Sequence, residues 1–234
     1  FGLVPARADG PAAGLELRRL LSQAIRRQAL VGALNVPGLL PRGTLIEPGL
    51  DGLQPPAAPT WMAMPIAGRR AQLAAAGRRE FGDLEKPTLR IALPDAPGGR
   101  ILFRRLASDW GAIGITVEAV EPGKAADFEL IDKIAPSTSP AWFVRSFRCG
   151  EVPVCDPEAD ELMDGARSAT VAVQRNGLLA QAAQRIDDQQ LFIALTAPIR
   201  WSLVSDRVQG FATNRFARHT LTSLRQRLDR ERAD

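Results

Sequence analysis

The sequence contains no tyrosine, a single histidine and only two cysteines among its 234 residues. His219 lies in the segment RFARHTL, where no acidic residue stands close to it. A histidine-based triad or a zinc site needs partners that this composition does not offer. We therefore expect no catalytic residues, no metal and no cofactor, and we do not expect an enzyme.

Long hydrophobic runs are also missing, since no apolar stretch approaches the roughly 20 residues of a membrane-spanning helix. Lysine is scarce, with three residues, so most of the 30 basic residues are arginines. The net charge is only +4, and no region concentrates the basic excess. The Arg-Arg doublets are expected on the solvated faces of predicted helices (residues 18–19, 26–27, 69–70, 78–79 and 104–105). A nucleic-acid partner is therefore not expected.

The most clearly patterned unit begins at residue 88. The segment TLRIALP alternates apolar and polar residues like a strand, RILFRRLASDW is an amphipathic helix, and ITVEAV predicts a second strand. A strand–helix–strand unit of this length predicts two parallel strands. The segment DFELID is a plausible third strand, so the fold class is α/β with a mixed, partly parallel sheet flanked by helices.

Three regions are predicted along the chain. Residues 1–85 form a helical and coil segment packed on the lobe, with helices over residues 15–34 and 68–81 and an ordered coil between them. Residues 86–212 form the α/β ligand-binding lobe, with a loop over residues 133–157, helices from residue 157 and short extended pieces after residue 191. Residues 213–234 form a helical tail.

Three stretches, taken in order, carry a resemblance to one family. The first is LRRLLSQAIRRQALVGALNVPGLLPRGTLIEPGL, and the second is the strand–helix–strand unit followed by DFELI. The third begins PEADELMDGARS and ends in VQGF. The chain resembles extracytoplasmic solute-binding proteins of peptide/nickel-type ABC importers (family 5) over residues 15–214. The positions that match the third pattern are Asp160, Leu162, Arg175, Leu179, Ala183, Ile186, Gly210 and Phe211.

This resemblance implies one lobe of a type II periplasmic-binding-protein-like fold. It implies non-catalytic capture of a peptide or other small solute by hinge closure, followed by delivery to the membrane permease of an ABC importer. It also implies a periplasmic or envelope-attached location. The chain begins with Phe1 rather than Met, and the resemblance places a first lobe before it, so we expect this chain alone to bind solute weakly.

The candidate ligand contacts combine aromatic faces with arginine side chains near predicted strand ends. Open α/β sheets bind ligands at such ends. The alternative is that both tryptophans belong to the core. The candidates are Trp142, Phe143, Arg145, Arg200 and Trp201.

The sequence lacks the family motif that pairs with the amino group of a peptide ligand. Peptide-binding members usually carry an acidic W-x-x-D-Y-x-D-P motif, but no acid lies between Lys133 and Arg148 here. A cationic peptide terminus would meet Arg145 and Arg148 instead. An anionic or neutral ligand is therefore expected to fit better.

The two cysteines, Cys149 and Cys155, are separated by a loop that contains Gly150 and Pro153. An even cysteine count in an exported protein favours a disulfide. Two free buried thiols are the alternative.

A second function from another class stays open. The ligand-sensing C-terminal domain of a cytoplasmic transcription regulator can share this fold, and it would keep its cysteines reduced. An oxidised bridge between Cys149 and Cys155 would discriminate between the two functions.

Overall fold

The computed structural model describes residues 1–47, 50–54, 58–81, 87–214, 216 and 221–226. The helices are α1 (Leu15–Ala24), α2 (Arg27–Leu34), α3 (Ile66–Phe81), α4 (Pro97–Gly111), α5 (Pro140–Arg145), α6 (Pro157–Ser168) and α7 (Ala172–Asp188). The strands are β1 (Gly2–Pro5), β2 (Thr88–Ala92), β3 (Thr116–Val120), β4 (Phe128–Ile131), β5 (Ile193–Ala194), β6 (Val208–Gln209) and β7 (Arg225–Gln226).

The main sheet has the strand order β3-β2-β4-β1-β5. Strand β2 is parallel to both β3 and β4, with Leu89 beside Val117 and Ile91 beside Phe128. Strand β1 runs antiparallel between β4 and β5. The predicted α/β fold with a mixed, partly parallel sheet is therefore confirmed.

Strand β1 is absent from our sequence-based interpretation, which treats residues 1–85 as a segment of helix and coil. The four residues of β1 are all buried, and Leu3 is fully inaccessible. These residues complete the sheet instead of packing on it. The division at residue 86 therefore does not follow the sheet.

Alternation along the strands gives the sheet two apolar faces. On one face, Leu3, Phe128 and Ile193 pack with α1 and α4, including Trp110. On the other face, Val4 and Ala194 pack with residues of α6 and α7. The sheet thus has a helical layer on each side.

The helix predicted over residues 15–34 is interrupted. Ile25 adopts an extended conformation (φ −70°, ψ 123°) and separates α1 from α2. The carboxylate of Asp109 accepts hydrogen bonds from the backbone N–H of Arg26 at 2.8 Å and from its Nε at 2.5 Å. The hydrogen bonds of Arg26 at the break are therefore made to a residue on α4. No local pattern in residues 15–34 could indicate this partner.

Solvated faces were expected for the Arg-Arg doublets, and this expectation is wrong for Arg18, Arg27 and Arg69, which are buried. The Arg18 guanidinium donates to the carbonyl oxygens of Ala12 at 2.9 Å and Gln189 at 2.8 Å. Backbone carbonyls can satisfy a buried guanidinium without a carboxylate. Burial lowers the pKa of Arg18 to about 10.

Arg27 is only 5% exposed and donates to the carbonyl oxygens of Ala194 and Ser22, each at 2.7 Å. The guanidinium groups of Arg27 and Arg69 each lie 5.1 Å from the ring centroid of Trp61. Burial, together with the nearby charge of Arg69, lowers the pKa of Arg27 to about 9.

The remaining predictions have mixed outcomes. In the described part of the coil after α2, Leu39, Ile46 and Leu50 are buried, whereas Leu40 is 57% exposed. Helix α5 lies within the expected loop over residues 133–157. In the tail, β7 pairs with β6 where a helix was expected. His219 and residues 227–234 lie outside the described residues.

Candidate functional site

A cavity of about 500 Å³ opens on the sheet face that carries Val4. Val4 pairs with Glu129 in the sheet register, and Ile131 lies on the same face two residues later. The loop that follows β4 and the aromatic face of α5 close the cavity from the side. We call this space the sheet cavity. Its further walls come from residues 42–47, 50, 133–138, 146–153 and 192–198.

Two of the five predicted ligand contacts line the sheet cavity. Trp142 and Phe143 are both half-buried, and their rings meet edge to face with centroids 5.1 Å apart. Aromatic side chains supply apolar area with a defined geometry, which suits the wall of a ligand site.

The other three predicted contacts do not line the sheet cavity. Arg145 borders a separate cleft between α5, α6 and α7. Arg200 forms an ion pair with Asp132 at 2.5 Å between Nη2 and Oδ1. Trp201 is 67% exposed, so for this residue the alternative of a core tryptophan is wrong. Residues 199–204 form no strand.

The expectation of an anionic or neutral ligand depended on Arg145 and Arg148 as the residues that a ligand would meet. Arg145 lies at the other cleft, and Arg148 forms an ion pair with Asp164 on α6. Neither residue lines the sheet cavity. A cationic group in that cavity would therefore not face the two arginines.

The charged residues that line the sheet cavity are of both signs. Arg42 and Glu47 neutralise each other through an ion pair at 2.8 Å. Glu129, Glu151 and Lys133 also line the cavity, and no ion pair joins them to any residue that the structure describes. The cavity thus offers two carboxylates and one ammonium group to a ligand.

None of these five charged lining residues was among the predicted ligand contacts. In DFELI, the alternation places Glu129 on the same face as Ile131, so the strand pattern contained the signal for Glu129. The position of Glu151 depends on the conformation of the cysteine loop, and the sequence has no periodic pattern that predicts this conformation.

The cysteine loop is held in place at both ends. Cys149 and Cys155 form the expected disulfide, with their Cα atoms 5.1 Å apart. The backbone N–H of Cys149 also donates to Asp160 of α6 at 3.1 Å. Val152 and Pro153 inside the loop line the sheet cavity. The bridge therefore fixes part of the cavity wall.

A buried carboxylate supports the opposite wall. Oδ1 of Asp187, at the end of α7, accepts a hydrogen bond from the backbone N–H of Leu45 at 2.9 Å. Leu45 lines the sheet cavity. Burial raises the pKa of Asp187 to about 7, and the hydrogen bond from Leu45 opposes this shift.

Within the described ranges, no group of three His, Cys, Asp or Glu side chains could hold a metal ion. In the same ranges, no helix combines the length and apolar character needed to cross a membrane.

A comparison with known sequences finds a similar segment in a curated protein. The "Probable di/tripeptide-binding protein 5" of Pseudomonas aeruginosa (strain UCBPP-PA14) is 38% identical over 64 residues, which is 27% of this chain and 12% of that protein. No protein-family model matches the chain.

Solved structures show the same fold. A dipeptide-binding protein from Pseudoalteromonas sp. SM9913, in complex with Met-Leu, superposes with a TM-score of 0.80 at 20% identity over 96% of this chain. OppA of Haemophilus influenzae, in complex with RPPGFSPFR, gives a TM-score of 0.79 at 16% identity over 89% of it. OppA of Burkholderia pseudomallei gives 0.77 at 23% identity over 89% of it.

The chain spans less than half of each of these structures, namely 48%, 44% and 45% of their lengths. The sequence match and the shared fold together confirm the resemblance to extracytoplasmic solute-binding proteins of family 5. The matched proteins are binding proteins by name.

Proposed function

We propose that this chain forms one wall of the ligand site in a solute-binding protein of an ABC importer and captures peptide-like solutes without chemical conversion. The observation that carries this proposal is the sheet cavity. It lies at the carboxyl end of β4, is lined by Trp142 and Phe143, and belongs to a fold found in peptide-binding proteins.

The charges of the sheet cavity suit a zwitterion. A free peptide has an ammonium group at one end and a carboxylate at the other. Glu129 and Glu151 attract the ammonium group, and Lys133 attracts the carboxylate. The aromatic pair of Trp142 and Phe143 covers apolar side chains of the ligand.

Delivery to a permease requires a second lobe that closes over the solute. The chain spans less than half of the similar structures, and the apolar side chains of Trp201 and Leu203 are exposed on it. An exposed apolar surface of this kind suits contact with such a lobe. The disulfide supports a location outside the cytoplasm over the function of a cytoplasmic regulator.

A titration of the ¹⁵N-labelled chain with the dipeptide Ala-Phe, followed by NMR, tests the proposal. We expect saturable shifts of amide signals from residues 129–138 and 142–153. The Trp142→Ala variant should weaken binding at least fivefold because it removes the aromatic wall. The Trp201→Ala variant is the matched control and should bind like the parent chain.

Shifts confined to other parts of the chain would contradict the proposal. An equal loss of affinity in both tryptophan variants would contradict it as well.

A further inference from the structure

A second cleft, of about 610 Å³, lies between α5, α6 and α7. We call it the helical cleft. Helix α5 separates the two spaces: Trp142 and Phe143 line the sheet cavity, whereas Ala141 and Val144 line the helical cleft. Ala141, Val144 and Arg145, at the helical spacing i, i+3 and i+4, lie on one face of α5, and Trp142 and Phe143 lie on the other. The two spaces share Ser146 and Glu151, and the other lining residues of the helical cleft do not line the proposed solute site.

The floor of the helical cleft is apolar. Val144, Met163, Ala166 and Leu179 contribute to it, and all four side chains are buried in the core on this side of the sheet. Helices α5, α6 and α7 and the start of the cysteine loop surround this floor. A volume of this size is in the range of small-ligand sites, about 300–1,000 Å³.

The rim of the helical cleft is basic. Arg145, Arg148, Arg167 and Arg175 line it, and Glu151 is the acidic residue among the lining residues. Arg148 is neutralised by Asp164. Within the described part of the chain, no carboxylate forms an ion pair with Arg145, Arg167 or Arg175. The rim thus keeps three guanidinium groups without an acidic partner.

We propose that the helical cleft binds a small amphiphilic anion, with its carboxylate or phosphate group on the arginines and its alkyl part on the apolar floor. Guanidinium groups bind both kinds of anion through paired N–H donors. An apolar floor favours a ligand with a hydrocarbon part over a bare inorganic ion. The shared chemistry is an anionic head on a short chain, whether it is free or part of a lipid.

Octanoate is the probe, and amide shifts of the ¹⁵N-labelled chain are the measurement. We expect saturable shifts around residues 141–148, 163–167 and 175–179. Octanol has the same chain length without the charge and should bind at least tenfold more weakly. Higher salt should weaken octanoate binding because the rim is exposed.

Charge-removing variants test the rim directly. Arg145→Gln and Arg175→Gln should each weaken octanoate binding at least fivefold. Arg104→Gln on α4 is the matched control, since Arg104 is exposed and lies outside the cleft. All three variants should keep the parent spectrum elsewhere, because these side chains lie on the surface.

Two sources of the anionic head are then distinguished. Octyl phosphate probes a free phosphate amphiphile, and vesicles that contain phosphatidylglycerol probe a lipid headgroup. If octyl phosphate or the vesicles bind the parent chain and this binding is lost in Arg145→Gln and Arg175→Gln, the proposal is supported. The probe that binds then identifies the source of the anionic head. Octanol binding as tight as octanoate binding would overturn it. So would an equal loss in Arg104→Gln, or the absence of saturable shifts with octanoate.

Discussion

At the scale of the residue, buried arginines connect segments that are distant in sequence through hydrogen bonds to backbone carbonyls. Arg27 connects the end of α1 to β5 through two carbonyl oxygens, and Trp61 stacks on its guanidinium group. Sequence patterns predict arginine at the surface because its burial is rare. One of its partners, the carbonyl oxygen of Ala194, lies 167 residues away, so the sequence around Arg27 could not predict this burial.

The Arg27→Ala variant should lower the free energy of unfolding by about 2–4 kcal/mol, because buried carbonyls lose a charged donor. Urea unfolding monitored by circular dichroism measures the loss. Arg104→Ala, at an exposed position of α4, should change the free energy by less than about 0.5 kcal/mol. Equal effects of the two substitutions would show that Arg27 has no special structural role.

Asp187 gives the stability a dependence on pH. Its pKa rises from 3.8 to about 7 on folding, mainly through burial, so the folded chain favours the protonated form. The stability that this carboxyl group contributes is therefore complete below about pH 4 and is lost as the pH rises through 7.

The Asp187→Asn variant cannot ionise and should lack this dependence. The difference in free energy of unfolding between the variant and the parent chain should shift by about 3 kcal/mol in favour of the variant from pH 4.5 to pH 7.5. Urea unfolding at the two pH values measures the difference. Asp206→Asn, at an exposed position, is the control. A difference that does not change with pH would show that Asp187 is ionised throughout.

At the scale of the element, the sequence predicts strands and helices well where a segment's own pattern decides its structure. Strands β2, β3 and β4 and helices α4, α6 and α7 lie close to their expected positions. Strand β1 has four residues, and its pairing comes from β4 and β5, more than 120 residues away. The break between α1 and α2 is stabilised by Asp109 on α4. Partners distant in sequence decide both features.

In the candidate site, too, the sequence predicts what a segment's own pattern decides and misses what the surrounding fold decides. Trp142 and Phe143 were predicted as ligand contacts beside a strand end, and they line the sheet cavity from helix α5. Arg145 lies on the opposite face of the short helix α5, which the sequence interpretation treated as loop. Without the helix, the two faces could not be distinguished.

The disulfide is an element with a measurable contribution. Closing the loop between Cys149 and Cys155 should add about 2 kcal/mol to the free energy of unfolding through loss of unfolded-state entropy. The Cys149→Ser/Cys155→Ser double variant should be destabilised by this amount in urea unfolding. Dithiothreitol should destabilise the parent chain similarly and leave the double variant unchanged. Insensitivity of the parent chain to the reductant would indicate that the cysteines are not paired.

At the scale of the whole molecule, the sheet cavity is open and covers only part of a ligand. Solute sites usually bury 70–90% of a ligand's surface. Because the chain spans less than half of the similar structures, its affinity for a dipeptide should fall below the range of calorimetry, while NMR shifts remain measurable. Tight calorimetric binding by residues 1–234 alone would contradict the proposal that a second lobe completes the site.

The central claim is that solute lies against the sheet cavity. A dipeptide that carries a nitroxide spin label, added to the ¹⁵N-labelled chain, reports this location through paramagnetic broadening of nearby amide signals. We predict broadening of residues 129–138 and 142–153, with α4 unaffected. Broadening centred on α4, or uniform weak broadening over the whole chain, would contradict the claim.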